Sequence, residues 1–456
     1  MNQNQTEELG TKSVGKLLFT LSAPAIAAQI INLLYNLVDR MYIGHIKDIG
    51  DLALTGVGVC LPLIMIISAF AALVSMGAAP RSSIFLGKND MENAERTLGN
   101  SVSLLTIISI ILTIIFQIFS KDMLMVFGAS ENTINYALDY IKIYSLGTIF
   151  VQFTLGLNAF ISAEGFAKIS MFTVLIGAIC NIILDPIFIF LFNMGVKGAA
   201  LATIISQAIS MIWTLSFLTG KKSTLRIKKE YLKLDKNIFL PSIALGLAPF
   251  IMQSTESLIA VCFNSSLLKY GNDLAVGSMT ILTSVMQFAM LPLQGLTQGA
   301  QPVISFNYGA KNAKRVKDAF RILLISCVTY STILWALAML FPSAFVLIFN
   351  NKLELVAFAS KALRIYMAVC LIFGIQVACQ QTFIALGNAK TSLFLALLRK
   401  IILLIPLIYI MPHIYPGDKT TGVFMAEPVA DLIAVTTTAI MFAFQFRKSM
   451  ASLKNS

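Results

Sequence analysis

Residues 169–192 read ISMFTVLIGAICNIILDPIFIFLF, a run of 24 residues in which Asp185 carries the only charge. An α-helix needs about 20 mostly apolar residues to cross a bilayer, so this run is long enough to span a membrane. A carboxylate at membrane depth is costly, and such a group is a candidate for function. The stretch therefore predicts a transmembrane helix with a functional acid, and Pro186 beside it predicts a kink.

The composition of the whole chain indicates many helices of this kind. Of the 456 residues, 57% are hydrophobic and 12% are charged, whereas soluble domains carry about 25% charged residues. Charged or turn-rich breaks divide the chain into twelve apolar runs, each long enough to cross a bilayer. The sequence predicts an all-α integral membrane protein with twelve transmembrane helices, and it excludes a water-soluble fold.

Lysine and arginine residues lie mainly in loops at one end of the predicted spans. The loops on the side of the N-terminus hold 22 of these residues and the opposite loops hold 6. Positively charged loops stay in the cytoplasm, so both termini are expected there, with the lipid bilayer around the spans. This loop bias accounts for the net charge of +12, and nucleic acid binding is not expected.

The two halves of the chain match when one is shifted by 222 residues. Asp51-Leu-Ala matches Asp273-Leu-Ala, and Gly87 matches Gly309, with offsets of 273 − 51 = 222 and 309 − 87 = 222. Six spans per half insert both halves in the same direction, which predicts two pseudo-symmetric lobes related by an axis along the membrane normal. The predicted units are an N-lobe of residues 1–220, a basic cytoplasmic linker of residues 221–236 and a C-lobe of residues 237–456.

Polar residues are predicted to lie at one depth inside the N-lobe. Counted from the span ends, Asp39, Asp185 and Thr203 lie about 7 to 11 Å below the outer surface at about 1.5 Å per residue. Asn181 shares a helix face with Asp185, and Tyr35 stands one turn from Asp39. Two close carboxylates in an apolar lobe share a proton or recruit a cation. The oxygens of this group are also the hard ligands that a sodium ion prefers.

Structural interpretations of these residues stay open. Polar side chains also join helices inside membranes, and a pair between Asp39 and adjacent Arg40 is the alternative in the first span. In the seventh span, Glu256 is either a partner for a cationic substrate or a partner of Arg399 or Lys400. The two acids of the last span, four residues apart, are interpreted as structural.

Three stretches, taken in order, resemble the multidrug and toxic compound extrusion (MATE) family. They are Tyr35-Asn-Leu-Val-Asp39-Arg-Met-Tyr-Ile-Gly44, Asn181-Ile-Ile-Leu-Asp185-Pro186 and Gly422-Val-Phe-Met-Ala-Glu-Pro-Val-Ala-Asp431. The similarity covers essentially the whole chain and is greatest to the DinF-like and MepA-like bacterial branch. It implies a secondary active exporter, not an enzyme, that expels cationic lipophilic drugs or toxins in exchange for H+ or Na+ by alternating access. No other cofactor is implied.

The resemblance also implies roles for particular residues. The cation-coupling residues would be Asp39, Asn181, Asp185 and Thr203, which would be metal ligands only if the coupling ion is Na+. The substrate-binding residues would be Tyr35, Asn158 and Glu256. A multi-pass monomer in the inner (plasma) membrane is implied.

Two other functions are weighed against an exporter. A lipid-linked oligosaccharide flippase of the same superfamily needs a cationic cavity for pyrophosphate, whereas the polar residues at cavity depth here are mainly acidic or neutral. An intramembrane enzyme such as a prenyltransferase needs clustered aspartates that hold magnesium-diphosphate. The acids of this chain are separated and its polar residues at cavity depth are not cationic. Export of cationic drugs is therefore favoured over both alternatives.

Overall fold

A computed structural model of the protein describes residues 3–455, and that part of the chain is almost entirely helical. Within it, ten helices are long and apolar enough to cross a membrane, and two bent helix pairs raise the number to twelve if each pair is one span. The predicted all-α membrane fold is confirmed.

The N-lobe begins with a short helix that precedes the first span. The helices are α1 (Gln3–Thr11), α2 (Val14–Gly44), α3 (Gly50–Gly87), α4 (Met91–Val126), α5 (Ile134–Leu146), α6 (Thr148–Ala163), α7 (Ala167–Pro186) and α8 (Val196–Thr219). A π-helical segment, Ile187–Leu191, continues α7.

The C-lobe repeats this order after a linker that contains one 3₁₀ turn, Lys229–Leu232. The helices are α9 (Lys236–Tyr270), α10 (Asp273–Gly309), α11 (Ala313–Leu340), α12 (Pro342–Leu347), α13 (Leu353–Tyr366), α14 (Cys370–Ala385), α15 (Ala389–Leu397), α16 (Ile405–Ile414) and α17 (Lys419–Asn455). A π-helical segment, Leu398–Leu404, joins α15 to α16. π-helical segments are rare in proteins, and those that occur often lie at functional sites.

Two of the twelve predicted apolar runs are bent helix pairs rather than single continuous helices. Helices α5 and α6 meet at 57°, and α13 and α14 meet at 50°. At the first joint, a Cβ atom on Gly147 would lie 2.3 Å from Cγ2 of Ile204, so only glycine lets this corner pack against α8. Hydrophobicity alone does not reveal such a bend.

The lobes approach each other most closely near the end of the bundle that carries both termini, which we call the basic end. A Cβ atom on Gly77 would lie 1.9 Å from the carbonyl oxygen of Ser242. One on Gly246 would lie 1.7 Å from the carbonyl oxygen of Leu73. The backbones of α3 and α9 can approach this closely because glycine has no Cβ atom.

Helices α3 and α10 also pack closely across the lobe interface, and their contact is symmetric. A Cβ atom on Gly87 would lie 2.0 Å from the carbonyl oxygen of Phe306, and one on Gly309 would lie 2.0 Å from that of Ile84. The glycines differ by 309 − 87 = 222 positions and their partners by 306 − 84 = 222. Equivalent residues of the two halves therefore make equivalent contacts across the lobe interface.

Midway along the bundle, the lobes meet through aromatic and sulfur-containing side chains. The rings of Phe70 and Phe250 lie 4.9 Å apart between centroids, and Ser257 Oγ lies 3.9 Å from Met65 Sδ. The side chain of Glu256, next to Ser257, is 52% exposed. Glu256 is therefore exposed, next to a point where the lobes meet.

Candidate cation and substrate sites

The structure brings the four predicted cation-coupling residues of the N-lobe together. Asn181 Nδ2 donates to Asp185 Oδ1 at 3.2 Å and to Thr203 Oγ1 at 3.4 Å. The carboxyl groups of Asp39 and Asp185 are close enough to interact with each other. All four side chains are buried.

Three helices position this group. Asn181 and Asp185 lie one turn apart on α7, and Pro186 follows at the point where the π-helical segment begins. Helix α2, which carries Asp39, packs along α7, and α8, which carries Thr203, also packs against α7. Because Pro186 cannot donate a backbone hydrogen bond, the helix is free to change pitch beside the carboxylate.

The N-lobe group has more acceptor oxygens than donors. Oδ1 of Asp39, Oδ1 of Asn181 and Oδ2 of Asp185 are buried without a hydrogen-bond partner. Among the described residues, no ion pair joins Asp39 to Arg40, whose side chain is exposed. Buried acceptors without donors are unfavourable. The group therefore fits a proton or a small cation held between its oxygens.

Tyrosines surround the aspartates. Tyr35, predicted from the sequence, lies close enough to interact electrostatically with Asp39 and Asp185. Tyr140, on α5, is not among the residues that the sequence predicts; it is buried and close enough to Asp39 to interact with it electrostatically. No spacing in the sequence relates α5 to the aspartate helices, so only the folded chain places Tyr140 there.

Asn158 lies apart from this group. Its Nδ2 donates to the carbonyl oxygen of Ser170 at 3.2 Å. In the C-lobe, Gln380 Nε2 donates to the carbonyl oxygen of Ser392 at 2.8 Å, and both residues are shifted by 222 positions, since 380 − 158 = 222 and 392 − 170 = 222. Each lobe thus has an equivalent interhelical hydrogen bond at this position.

The C-lobe contains a cluster of five charged side chains, which we call the ion cluster. Arg399 Nε donates to Asp431 at 2.7 Å, and Arg399 Nη2 donates to Glu427 at 2.9 Å. Lys400 Nζ lies 2.5 Å from Glu256 Oε1. The sequence leaves a Glu256 pair with Arg399 or Lys400 open; the structure selects Lys400.

A further buried acid lies outside the spans, at the basic end. Glu164 follows α6 and accepts hydrogen bonds from Ser223 Oγ at 2.8 Å, Thr224 N at 2.6 Å and Leu225 N at 3.2 Å. Burial raises the pKa of Glu164 to about 8, although these three donors oppose the shift. Glu164 thereby fixes the start of the linker to the N-lobe.

Comparison with known proteins identifies the family. A family model described as MatE matches residues 24–187 and matches again at residues 249–410. The two matches together cover more than half of the chain, one in each lobe. The fold and the buried polar group therefore belong to a polytopic membrane transporter. The chain is a member of the MatE family of multidrug export transporters.

Several relatives are similar over nearly their whole length. Multidrug export protein MepA of Staphylococcus haemolyticus is 26% identical over 95% of this chain and 94% of its own. MepA of Staphylococcus aureus is 25% identical over 98% of both chains. The MATE multidrug transporter DinF-BH, solved in complex with a ligand, is 34% identical, with a TM-score of 0.89 over 98% of this chain and 99% of that one. These relatives are transporters rather than enzymes.

Proposed function

We propose that this protein is an antiporter that expels cationic lipophilic compounds in exchange for H+ or Na+ by alternating access. The N-lobe group of Asp39, Asn181, Asp185 and Thr203 would bind the coupling ion. Tyr35 and Glu256 would contact the substrate. The basic end would face the cytoplasm of a plasma membrane, in keeping with its excess of lysine and arginine.

The observation that carries this proposal is the pair of adjoining, buried carboxyl groups of Asp39 and Asp185. Among the described residues, neither forms an ion pair. Two close carboxylates in an apolar environment attract one positive charge strongly. A proton, a sodium ion and an organic cation can all supply that charge, and competition between them is the basis of exchange.

Exchange requires that each cation bind the two states of the transporter unequally. A proton or sodium ion that reaches the N-lobe from outside removes the negative charge that holds a cationic drug, and the drug is released. The lobes then return to the other state by separating at the basic end, where the contacts of Gly77 and Gly246 would have to open. Such rocking of two related lobes is the usual route of alternating access.

The test is transport of ethidium, a fluorescent lipophilic cation, into or out of proteoliposomes with a proton gradient and a sodium gradient imposed separately. Wild type is compared with Asp39→Asn, which removes the charge and keeps the shape. Asp51→Asn is the matched control, because Asp51 is an exposed acid of the same lobe. We expect one gradient to drive transport in wild type and in the control, and neither to drive it in Asp39→Asn.

Two results would contradict the proposal. One is full gradient-driven transport by folded Asp39→Asn protein, which would remove the N-lobe group from the mechanism. The other is no transport by wild type under either gradient, which would make lipid-linked substrates the next class to test.

A further inference from the structure

The ion cluster of the C-lobe has an unequal number of acids and bases. Arg399 and Lys400 carry two positive charges, and Glu256, Glu427 and Asp431 carry three negative charges when all are ionised. One negative charge is therefore left over inside an apolar lobe. A buried charge without compensation is strongly unfavourable, so the cluster is suited to accept one further positive charge.

Only one member of the cluster is exposed. Glu256 is 52% exposed, whereas the side chains of Lys400 and Arg399 are 8% and 9% exposed. A cation that approaches the cluster therefore meets Glu256 first. Lys400 already forms an ion pair with the carboxylate of Glu256. A second cation can bind this carboxylate only if the ammonium group of Lys400 moves away.

The remaining acids provide a place for the displaced lysine. Glu427 and Asp431 share the single positive charge of Arg399 and keep one surplus negative charge. Lys400 is the residue after Arg399, whose guanidinium group bonds both of these acids. The π-helical segment that carries Lys400 lacks the regular hydrogen-bond pattern of an α-helix, which favours local rearrangement.

We propose that Lys400 is a displaceable internal counter-ion of Glu256, which leaves the carboxylate when a monovalent organic cation binds there. The arriving cation pairs with Glu256, and Lys400 moves to the Glu427–Asp431 pair. The formal charge of the cluster then changes from −1 to 0. This inference rests on the proposed function, since it concerns a substrate contact of the same transporter.

The displacement has a consequence for affinity that a purely structural ion pair does not have. Because the substrate competes with Lys400, removal of the lysine charge strengthens substrate binding. A bidentate guanidinium at the same position holds the carboxylate more firmly than an ammonium, so it weakens substrate binding. If the Lys400–Glu256 ion pair only joins α9 to the π-helical segment, removal of the lysine charge does not raise the affinity for a cation.

The test is equilibrium binding of ethidium to purified full-length protein in detergent, without any gradient. We expect Lys400→Met to bind ethidium about tenfold more tightly and Glu256→Gln about tenfold more weakly, as one semi-buried charge pair is gained or lost. Lys197→Met is the matched control, because Lys197 forms an exposed ion pair with Asp139 at 3.5 Å. Its affinity is expected to equal that of wild type.

A second variant keeps the test decisive if Lys400→Met does not fold. Lys400→Arg preserves the charge and is expected to bind ethidium about threefold more weakly. Unchanged or weaker binding by folded Lys400→Met, or wild-type binding by Lys400→Arg, overturns the inference. Either result leaves gradient-driven transport by wild type untouched, so the failure of this site is distinguishable from failure of the proposed function.

Discussion

The two lobes hold their buried charges in opposite ways. In the N-lobe, Asp39 and Asp185 adjoin with no basic partner among the described residues, whereas in the C-lobe Arg399 and Lys400 neutralise most of the acids. An acid pair without a base needs a cation from solution. An ion cluster with its own bases admits one only by exchange. Two lobes with one scaffold thus have different electrostatic demands.

Within the spans, this difference lies in the parts far from the basic end. At the basic end, equivalent glycines make equivalent contacts across the interface, and Asn158 and Gln380 donate equivalent hydrogen bonds. In these spans Pro186 matches Pro406, a shift of 220, so the position equivalent to Asp185 is Ile405, since 185 + 220 = 405. The contacts that hold the lobes together are therefore shared, and the residues that bind charge are not.

The strongest test of this comparison removes one N-lobe acid. In Asp185→Asn, the group of oxygens keeps its shape but loses the charge that attracts the coupling ion, so we expect gradient-driven ethidium transport to fall to that of empty liposomes. The apparent melting temperature should not fall, because an unpaired buried charge has been removed. A variant that transports as wild type would place the coupling ion elsewhere.

The matching change in the C-lobe should act on stability. Arg399→Met leaves Glu427 and Asp431 buried without their partner, and breaking a buried ion network from one side costs about 3–5 kcal/mol. We expect a clear fall in the apparent melting temperature in detergent. Arg399→Met combined with Glu427→Gln and Asp431→Asn should recover most of it. An unchanged melting temperature in the single variant would show that solvent reaches the cluster.

A pair of equivalent substitutions tests whether Asn158 has a substrate role. Asn158→Ala and Gln380→Ala each remove one interhelical hydrogen bond, of 3.2 Å and 2.8 Å. A bond of this kind contributes about 1 kcal/mol, so we expect small and equal losses of thermal stability with transport retained in both. A transport defect confined to Asn158→Ala would support the substrate contact that the family resemblance implies.

The sequence was sufficient for the fold and for one of the two charged sites. Apolar run lengths predict the spans because the bilayer fixes the length of a helix, and the depth of Asp39 and Asp185 predicts that they meet. The ion cluster is only partly predictable, because Lys400 and Glu256 are 144 residues apart in the sequence. Both Arg399 and Lys400 are candidate partners of Glu256. The π-helical segment and the place of Tyr140 depend on tertiary packing.

The smallest expected effect concerns a third contrast, at the basic end. Glu164 holds the linker, whereas the equivalent position in the C-lobe, 164 + 222 = 386, is Leu386 in an apolar core. Because burial raises the pKa of Glu164 to about 8, Glu164 keeps its proton while the linker is docked. When the linker is undocked, Glu164 loses this proton above the ordinary pKa of a glutamate. Docking should therefore weaken as the pH rises toward 8 and change little above it.

The measurement is the rate of limited proteolysis within residues 221–236, compared between wild type and Glu164→Gln at each pH. Glutamine reproduces the neutral carboxyl group, and its carbonyl oxygen can accept from Thr224 N and Leu225 N, so its linker should stay docked at every pH. The ratio of the two rates cancels the pH dependence of the protease. We expect this ratio to rise between about pH 5 and about pH 8 and then level off. A constant ratio would mean that Glu164 is ionised in the docked state and that its three donors outweigh its burial.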